Sequence, residues 1–337
     1  MKQIKKERES NFELLRIIAM AMVLAVHIFH SLPQYSSLPA DTPLLASLAN
    51  LVTHEANIVC VNIFVLISGW FGIKFSYKGL ANFIFQVLFF SIGLTLPFFI
   101  SGDLDINRIN ILSSFALYNN SYWFVWAYLL LYALAPILNS FIENTDRKTF
   151  KRTILFYFIL QTIIAVYTRL GFFQGGYHFA PFIGLYLLAG YMKQYPLNIK
   201  NKYAYLGIYV ACVIINCGFI FSGINVNLNS FVSQFINPLN IIGAMSLVIF
   251  FSKLNFKSRI INWVASSCFA VFLTHMHFCI IPYYKQGTEY FIENYSGWEF
   301  IAGMTLYSAA IYIISVVLDK PRIALFNAIC KKIGAKQ

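Results

Sequence analysis

Apolar runs of roughly 20 residues recur from one end of this chain to the other, the length a helix needs to cross a hydrocarbon layer. The first run reads LLRIIAMAMVLAVHIFH, Leu14 to His30. Only 11% of the residues are charged and 59% are hydrophobic, which excludes a soluble globular domain. The short alternating pattern of an outer-membrane barrel is absent. The expected fold is therefore all-α, a polytopic bundle of transmembrane helices.

A spanning-length window places ten helices, at about 12–32, 55–73, 80–100, 122–142, 153–170, 178–193, 203–222, 232–252, 260–281 and 298–318. The segments between them carry turn and loop signals: SLPQYSSLPADTP, SGDLDINR, ENTDRKTFKR, GFFQGG and YYKQGTEYFIENYSG. None is long or polar enough for a separate soluble domain. Residues 1–337 thus read as one unit, with a leader over 1–11, the bundle over 12–318 and a tail over 319–337.

Ten helices put both termini on one side. In that arrangement 22 of the 25 Lys and Arg share the termini's side, leaving only Arg108, Arg169 and Lys285 on the other. Positive residues accumulate on the cytoplasmic face, so both termini are expected there. The five tryptophans, Trp70, Trp123, Trp126, Trp263 and Trp298, lie near proposed helix ends, as an interfacial belt requires. The net charge of +12 then reads as orientation signal and attraction to anionic lipid, with no nucleic acid implied.

The six cysteines are scattered, mostly inside apolar runs and without a CxxC pair, so neither a disulfide framework nor a zinc site is expected. His275 and His277 would leave opposite sides of a helix, a poor geometry for a metal. The stretch 14–31 has the layout of a signal peptide, but its apolar part is longer than an h-region, and it reads as a retained helix. P-loop, GxGxxG, HExxH and GxSxG patterns are missing.

Polarity inside the spans needs a reason, because ionisable side chains are costly in hydrocarbon and ordinarily face a polar interior. Arg16 and His27 are separated by close to three helical turns, so they share one face about 16 Å apart along the axis. Arg16 alone is equally consistent with snorkelling to the headgroups, and His27 with a hydrogen bond across a helix interface. On the assigned topology His27 lies in the outer half of the bilayer, and His30, His54, His178, His275 and His277 fall towards the same face. Ser68-Gly69 reads as a close-packing pair. Lys74 and Lys78 read as positive-inside residues unless a cytoplasmic anion docks there. Tyr122, Trp123 and Trp126 open the fourth span.

R-IIAMAMVLAV-H (Arg16 to His27) behind ELLR, then NIFVLISGWF (Asn62–Phe71), YWFVWAYLLLYALAPILN (Tyr122–Asn139), FIGLYLLAGY (Phe182–Tyr191) and FAVFLTHMHF (Phe269–Phe278), follow in order over nearly the whole chain. In this the chain resembles the bacterial membrane acyltransferase-3 family. The resemblance implies a multi-pass enzyme of the bacterial cytoplasmic membrane. Such enzymes move an acyl group, typically acetyl, from cytoplasmic acyl-CoA to hydroxyls of surface polysaccharides or lipid-linked sugars. Acyl-CoA is then the donor substrate, and no permanently bound cofactor is implied. The basic pair that many relatives carry after SGxF falls here on Lys74 and Lys78 at different spacing. No esterase-like domain follows, so a stand-alone member is expected.

These residues set up an expected mechanism. Arg16, with Lys74 and Lys78, receives the donor's phosphates, and the pantetheine arm threads along the helix face towards His27. His27 acts as base towards the acceptor hydroxyl or carries the acyl group itself. His30, Tyr122, Trp123 and His275 are the candidate acceptor contacts, with His54, Glu55 and His275 as possible neighbours to orient His27. The rivals are a transporter or flippase for a polysaccharide or lipid-linked sugar, and a structural subunit of an envelope assembly. Paired intramembrane charges or matching broken helices would favour transport, and the sequence displays neither.

Overall fold

The computed structural model describes residues 8–29, 44–118, 120–167, 173–197, 199–222 and 231–334. Among these residues every regular element is helical. The chain runs through α1 (Ser10–Phe29), α2 (Leu44–Asn57), α3 (Cys60–Phe71), α4 (Tyr77–Ser101), α5 (Arg108–Ser114), α6 (Trp123–Asn144) and α7 (Arg147–Tyr167). It continues through α8 (Phe179–Gln194), α9 (Tyr203–Ser222), α10 (Pro238–Ser252), α11 (Arg259–Ala265), α12 (Cys268–His275), α13 (Ile281–Asn294) and α14 (Gly297–Lys332).

Seven stretches among the described residues are long and apolar enough to cross a membrane: α1, α2 with α3, α4, α6, α7, α9 and α14. The other three of the ten expected spans fall on α8, α10 and the pair α11–α12, each too short or too broken to count as a crossing by length. Their surroundings explain the shortness. α8 is buried almost continuously from Leu185 to Gly190, and α10 from Leu247 to Ile249. A helix enclosed by protein need not match the thickness of the bilayer. The spans of α1 and α2–α3 are 56% and 61% buried, against 17–28% for α4, α6, α7, α9 and α14, so the former pair is the core and the latter set faces lipid. α1 is the hub, packed against α2, α3, α10, α11, α12 and α14.

Local chemistry sets the helix starts. Ser76 caps α4 by accepting from the Gly79 N–H, and Asn237 caps α10 just ahead of Pro238. His178 is the cap of α8, its ring accepting from the Ala180 N–H. A Cβ on Gly69 would lie 2.5 Å from the Tyr186 carbonyl oxygen, so α3 and α8 meet at van der Waals range only because this residue has no side chain.

Three departures from the sequence reading bear on the site. The single helix expected over 260–281 is broken at Ser266–Ser267 and stops at His275. Serine hydroxyls compete with the helix ladder, and Lys320 of α14 seals the break. Its Nζ donates to the Trp263 carbonyl at 2.7 Å, to Ser267 Oγ at 2.9 Å and to Ser266 Oγ at 3.1 Å, which engages all three ammonium protons. The tyrosine-rich connection after 281 is helical as α13, because Tyr284 and Thr288, one turn apart, are buried together. The Tyr284 hydroxyl also donates to the Leu24 carbonyl at 3.0 Å. Finally, the tail from Asp319 continues α14 as far as Lys332, through Pro321. Asp319 and Arg322 are buried there as a two-point ion pair at 2.8 and 3.0 Å, and Arg322 Nη1 donates to Asn82 Oδ1 on α4 at 2.8 Å.

Candidate active site

A cavity of about 610 Å³ runs along the face of α1 that carries Arg16 and His27. Its size is that of a small-molecule site. Arg16, Met20, Val23 and His27 all line it, a stripe at helical spacing. Ser68 of α3, Gln86 of α4 and Tyr128 of α6 add polar groups. The rest of the wall is largely aromatic, with Phe83 stacked on Phe269 at 5.3 Å, Phe124 on Tyr128 at 5.7 Å and Phe269 on Phe272 at 6.0 Å. Ser68 and Gly69 therefore divide their work: the glycine serves helix packing, and the serine faces the cavity, 3.3 Å from the Tyr128 hydroxyl.

At one end of the cavity the groups are charged. Arg16 Nη1 donates to Glu13 Oε1 at 2.5 Å, and Arg8 stands 3.8 Å from Glu13 Oε2. Glu13 is buried and holds the guanidinium in place, and among the described residues this is the one hydrogen bond the guanidinium's five N–H donors make. Arg16 and Lys193 both sit over the Phe71 ring, at 5.8 and 5.7 Å from its centroid. Lys320 reaches the same region, since its partner Ser266 lines the cavity. Lys74 is exposed, Lys78 is half-buried, and neither lines the cavity. The sequence names Lys74 and Lys78 but passes over Lys193 and Lys320. Basic residues at the ends of apolar runs look alike until the fold sorts them.

At the other end two imidazoles and a backbone carbonyl are linked in series. His27 Nδ1 lies 2.9 Å from His275 Nε2, and His275 Nδ1 lies 2.6 Å from the Val271 carbonyl oxygen. A carbonyl only accepts, so His275 carries its proton on Nδ1 and presents a lone pair at Nε2. That lone pair accepts the Nδ1–H of His27. The lone pair of His27 is thereby assigned to Nε2. The break after His275 and the burial of its ring, beside Tyr284 at 5.6 Å and Phe272 at 6.1 Å, fix the supporting imidazole. His275 is fully buried and does not line the cavity, so it stands behind His27 and not beside a ligand.

The other polar residues have plainer places. Tyr122 is buried, and its hydroxyl donates to the Leu273 carbonyl at 2.5 Å, anchoring α12 next to His275. Trp123 lines the cavity, packed edge-on against Tyr177 at 4.7 Å. His54 pairs with Glu55 at 3.0 Å, and Ser233 Oγ donates to the same carboxylate oxygen at 2.6 Å. His277 Nε2 donates to the Ser91 carbonyl at 3.0 Å, while its Nδ1 accepts from the Cys279 N–H at 3.2 Å. His30 lies outside the described residues. Among the described residues no group of three His, Cys, Asp or Glu is arranged to hold a metal ion.

Fold and site together define a multi-pass helical membrane protein with an internal cavity, charged at one end and bearing a histidine pair at the other. The acyltransferase domain model of the acyltransferase-3 family matches residues 9–320, and the chain belongs to that family of membrane acyltransferases. No curated protein and no solved structure matches it.

Proposed function

We propose that this acyltransferase moves acetyl from cytoplasmic acetyl-CoA to a hydroxyl of an extracytoplasmic or lipid-linked glycan, in the bacterial cytoplasmic membrane. The observation that supports this reading is one cavity with Arg16 and His27 on one helix face, about 16 Å apart along the axis. Acetyl-CoA is an anion joined to a thioester by a long, narrow arm, and the cavity has the matching polarity. The Lys/Arg distribution assigns the charged end to the cytoplasm.

In this mechanism the donor's phosphates meet Arg16, with Lys193 and Lys320 close by and Lys74 and Lys78 drawing anions from the rim. The arm lies against the aromatic wall and brings the thioester to His27. His27 Nε2 takes the proton of the acceptor hydroxyl while that oxygen attacks the thioester carbonyl. The C–S bond then breaks, the CoA thiolate recovers the proton from the imidazolium, and an ester is left on the acceptor. His275 holds the tautomer, and its bond to His27 Nδ1–H strengthens while His27 is charged. Trp123 offers a flat face to a sugar ring, and Tyr122 keeps α12 in register. The covalent route, through an acyl group on His27, uses the same nitrogen.

The broken α11–α12 segment and the buried Asp319–Arg322 pair are features a transporter would share. Purified protein in lipid nanodiscs, given labelled acetyl-CoA and a lipid-linked sugar acceptor, separates the two. Label appearing on the sugar as a base-labile ester, with free CoA released in equal amount, is the expected result. Sugar crossing a bilayer while all label stays in acetyl-CoA would overturn it.

A further inference from the structure

The ion pair of Asp319 and Arg322 lies away from the cavity, yet it touches a residue that lines it. Gln86 Nε2 is 3.2 Å from Asp319 Oδ1, and the same carboxylate oxygen accepts from Arg322 Nε at 2.8 Å. A carboxylate in an ion pair only accepts, so the amino half of the Gln86 amide is the half turned towards it. The amide is planar, and its Oε1 therefore points away from Asp319. Among the described residues no donor reaches that oxygen, and it is not among the buried atoms that lack a partner. Since Gln86 forms part of the cavity wall, Oε1 is an acceptor open to the cavity.

Its position is specific. Gln86 is one turn beyond Phe83, which stacks on Phe269, and Phe269 lies about 9 Å along the helix from His275. That puts the amide between the charged end and the histidine pair, in a stretch walled largely by aromatic and aliphatic side chains. An acceptor that cannot turn into a donor selects a ligand with an N–H or O–H at that level. The pantetheine arm of an acyl-CoA carries two secondary amides there, between its phosphates and its thioester.

We infer that Gln86 is a specificity-determining contact, held by Asp319 and Arg322 to accept a hydrogen bond from an amide N–H of the donor's arm. This rests on the acyl-CoA reading above. The alternative is that Gln86 only ties α4 to α14. The two separate in a comparison of donors: acetyl-CoA against S-propyl thioacetate, a thioester with no amide. Gln86→Met keeps the length of the side chain and removes the amide. The expected result is a fall of about tenfold in the kcat/KM preference for acetyl-CoA over the simple thioester, carried by KM. The double variant Asp319→Leu/Arg322→Met removes the ion pair without leaving a lone buried charge. It frees the amide to turn and is expected to lower the same preference by a smaller factor. A preference within twofold of wild type in both variants, including equal losses with the two donors, would overturn the inference while leaving the donor reading intact. A wild-type protein that transfers nothing from acetyl-CoA would instead remove the donor reading and this inference with it.

Discussion

At the charged end of the cavity Arg16 is partly exposed and ion-paired with Glu13, whereas at the deep end His27 rests on His275 through a hydrogen bond between two imidazoles. The difference follows from how far each group sits from water. Near the interface an ion pair loses little solvation and leaves spare N–H donors for an incoming anion. Deep in the bundle each isolated charge would cost several kcal/mol. Two imidazoles can share a hydrogen bond there without burying an isolated charge. Asp319–Arg322 shows what a buried pair requires instead: two-point geometry, with Asn82 and Gln86 satisfying what remains.

The comparison breaks first at the deep end. His27→Ala is expected to lower acyl transfer by about a thousandfold with the protein still inserted, because it removes the base of the proposed mechanism. Wild-type levels of base-labile ester on the glycan would remove His27 from the chemistry. His275→Ala should lower kcat by about 10- to 100-fold, the size of one hydrogen bond to a charged group. His275→Gln, whose carbonyl can accept the same Nδ1–H, should restore part of that loss; equal defects in both variants would make His275 merely a packing residue. Moving to the charged end, Arg16→Gln should raise KM for acyl-CoA about tenfold with a smaller change in kcat. Adding Glu13→Gln should not rescue it, and a rescue would trace the defect to an orphaned carboxylate. The smallest effect belongs to the rim: Lys74→Ala/Lys78→Ala should shift KM by less than about threefold, and only at low salt.

Much of this was legible in the sequence because helical periodicity is. The 3.6-residue repeat alone put Arg16 and His27 on one face, and the cavity follows that face. A partner of His27 was legible only as one of three candidates, His54, Glu55 and His275. His275 is 248 residues away, and only the packing of α12 on α1 makes it a nearer neighbour than His54, which pairs with Glu55. Hydropathy also merged α11 and α12, since a serine pair hardly lowers a window average. The break depends on Lys320, a residue the same reasoning counts only as a topology signal. Similarly, Asp319 and Arg322 read as the start of a charged tail, although opposite charges three apart on a helix hint at a pair.

The aromatic wall has a consequence for fidelity. A thioester in water faces a nucleophile at enormous concentration, and any enzyme that activates hydroxyls is in danger of activating that one. Rings of Phe64, Phe124, Phe269 and Phe272 along the cavity give a water molecule few partners, whereas the sugar hydroxyl of the proposed reaction would arrive carried by its own ring on the flat face of Trp123. On the proposed reaction, acyl groups would then be handed to carbohydrate and not to solvent, and the cell's store of activated acyl donor would not drain through its own membrane.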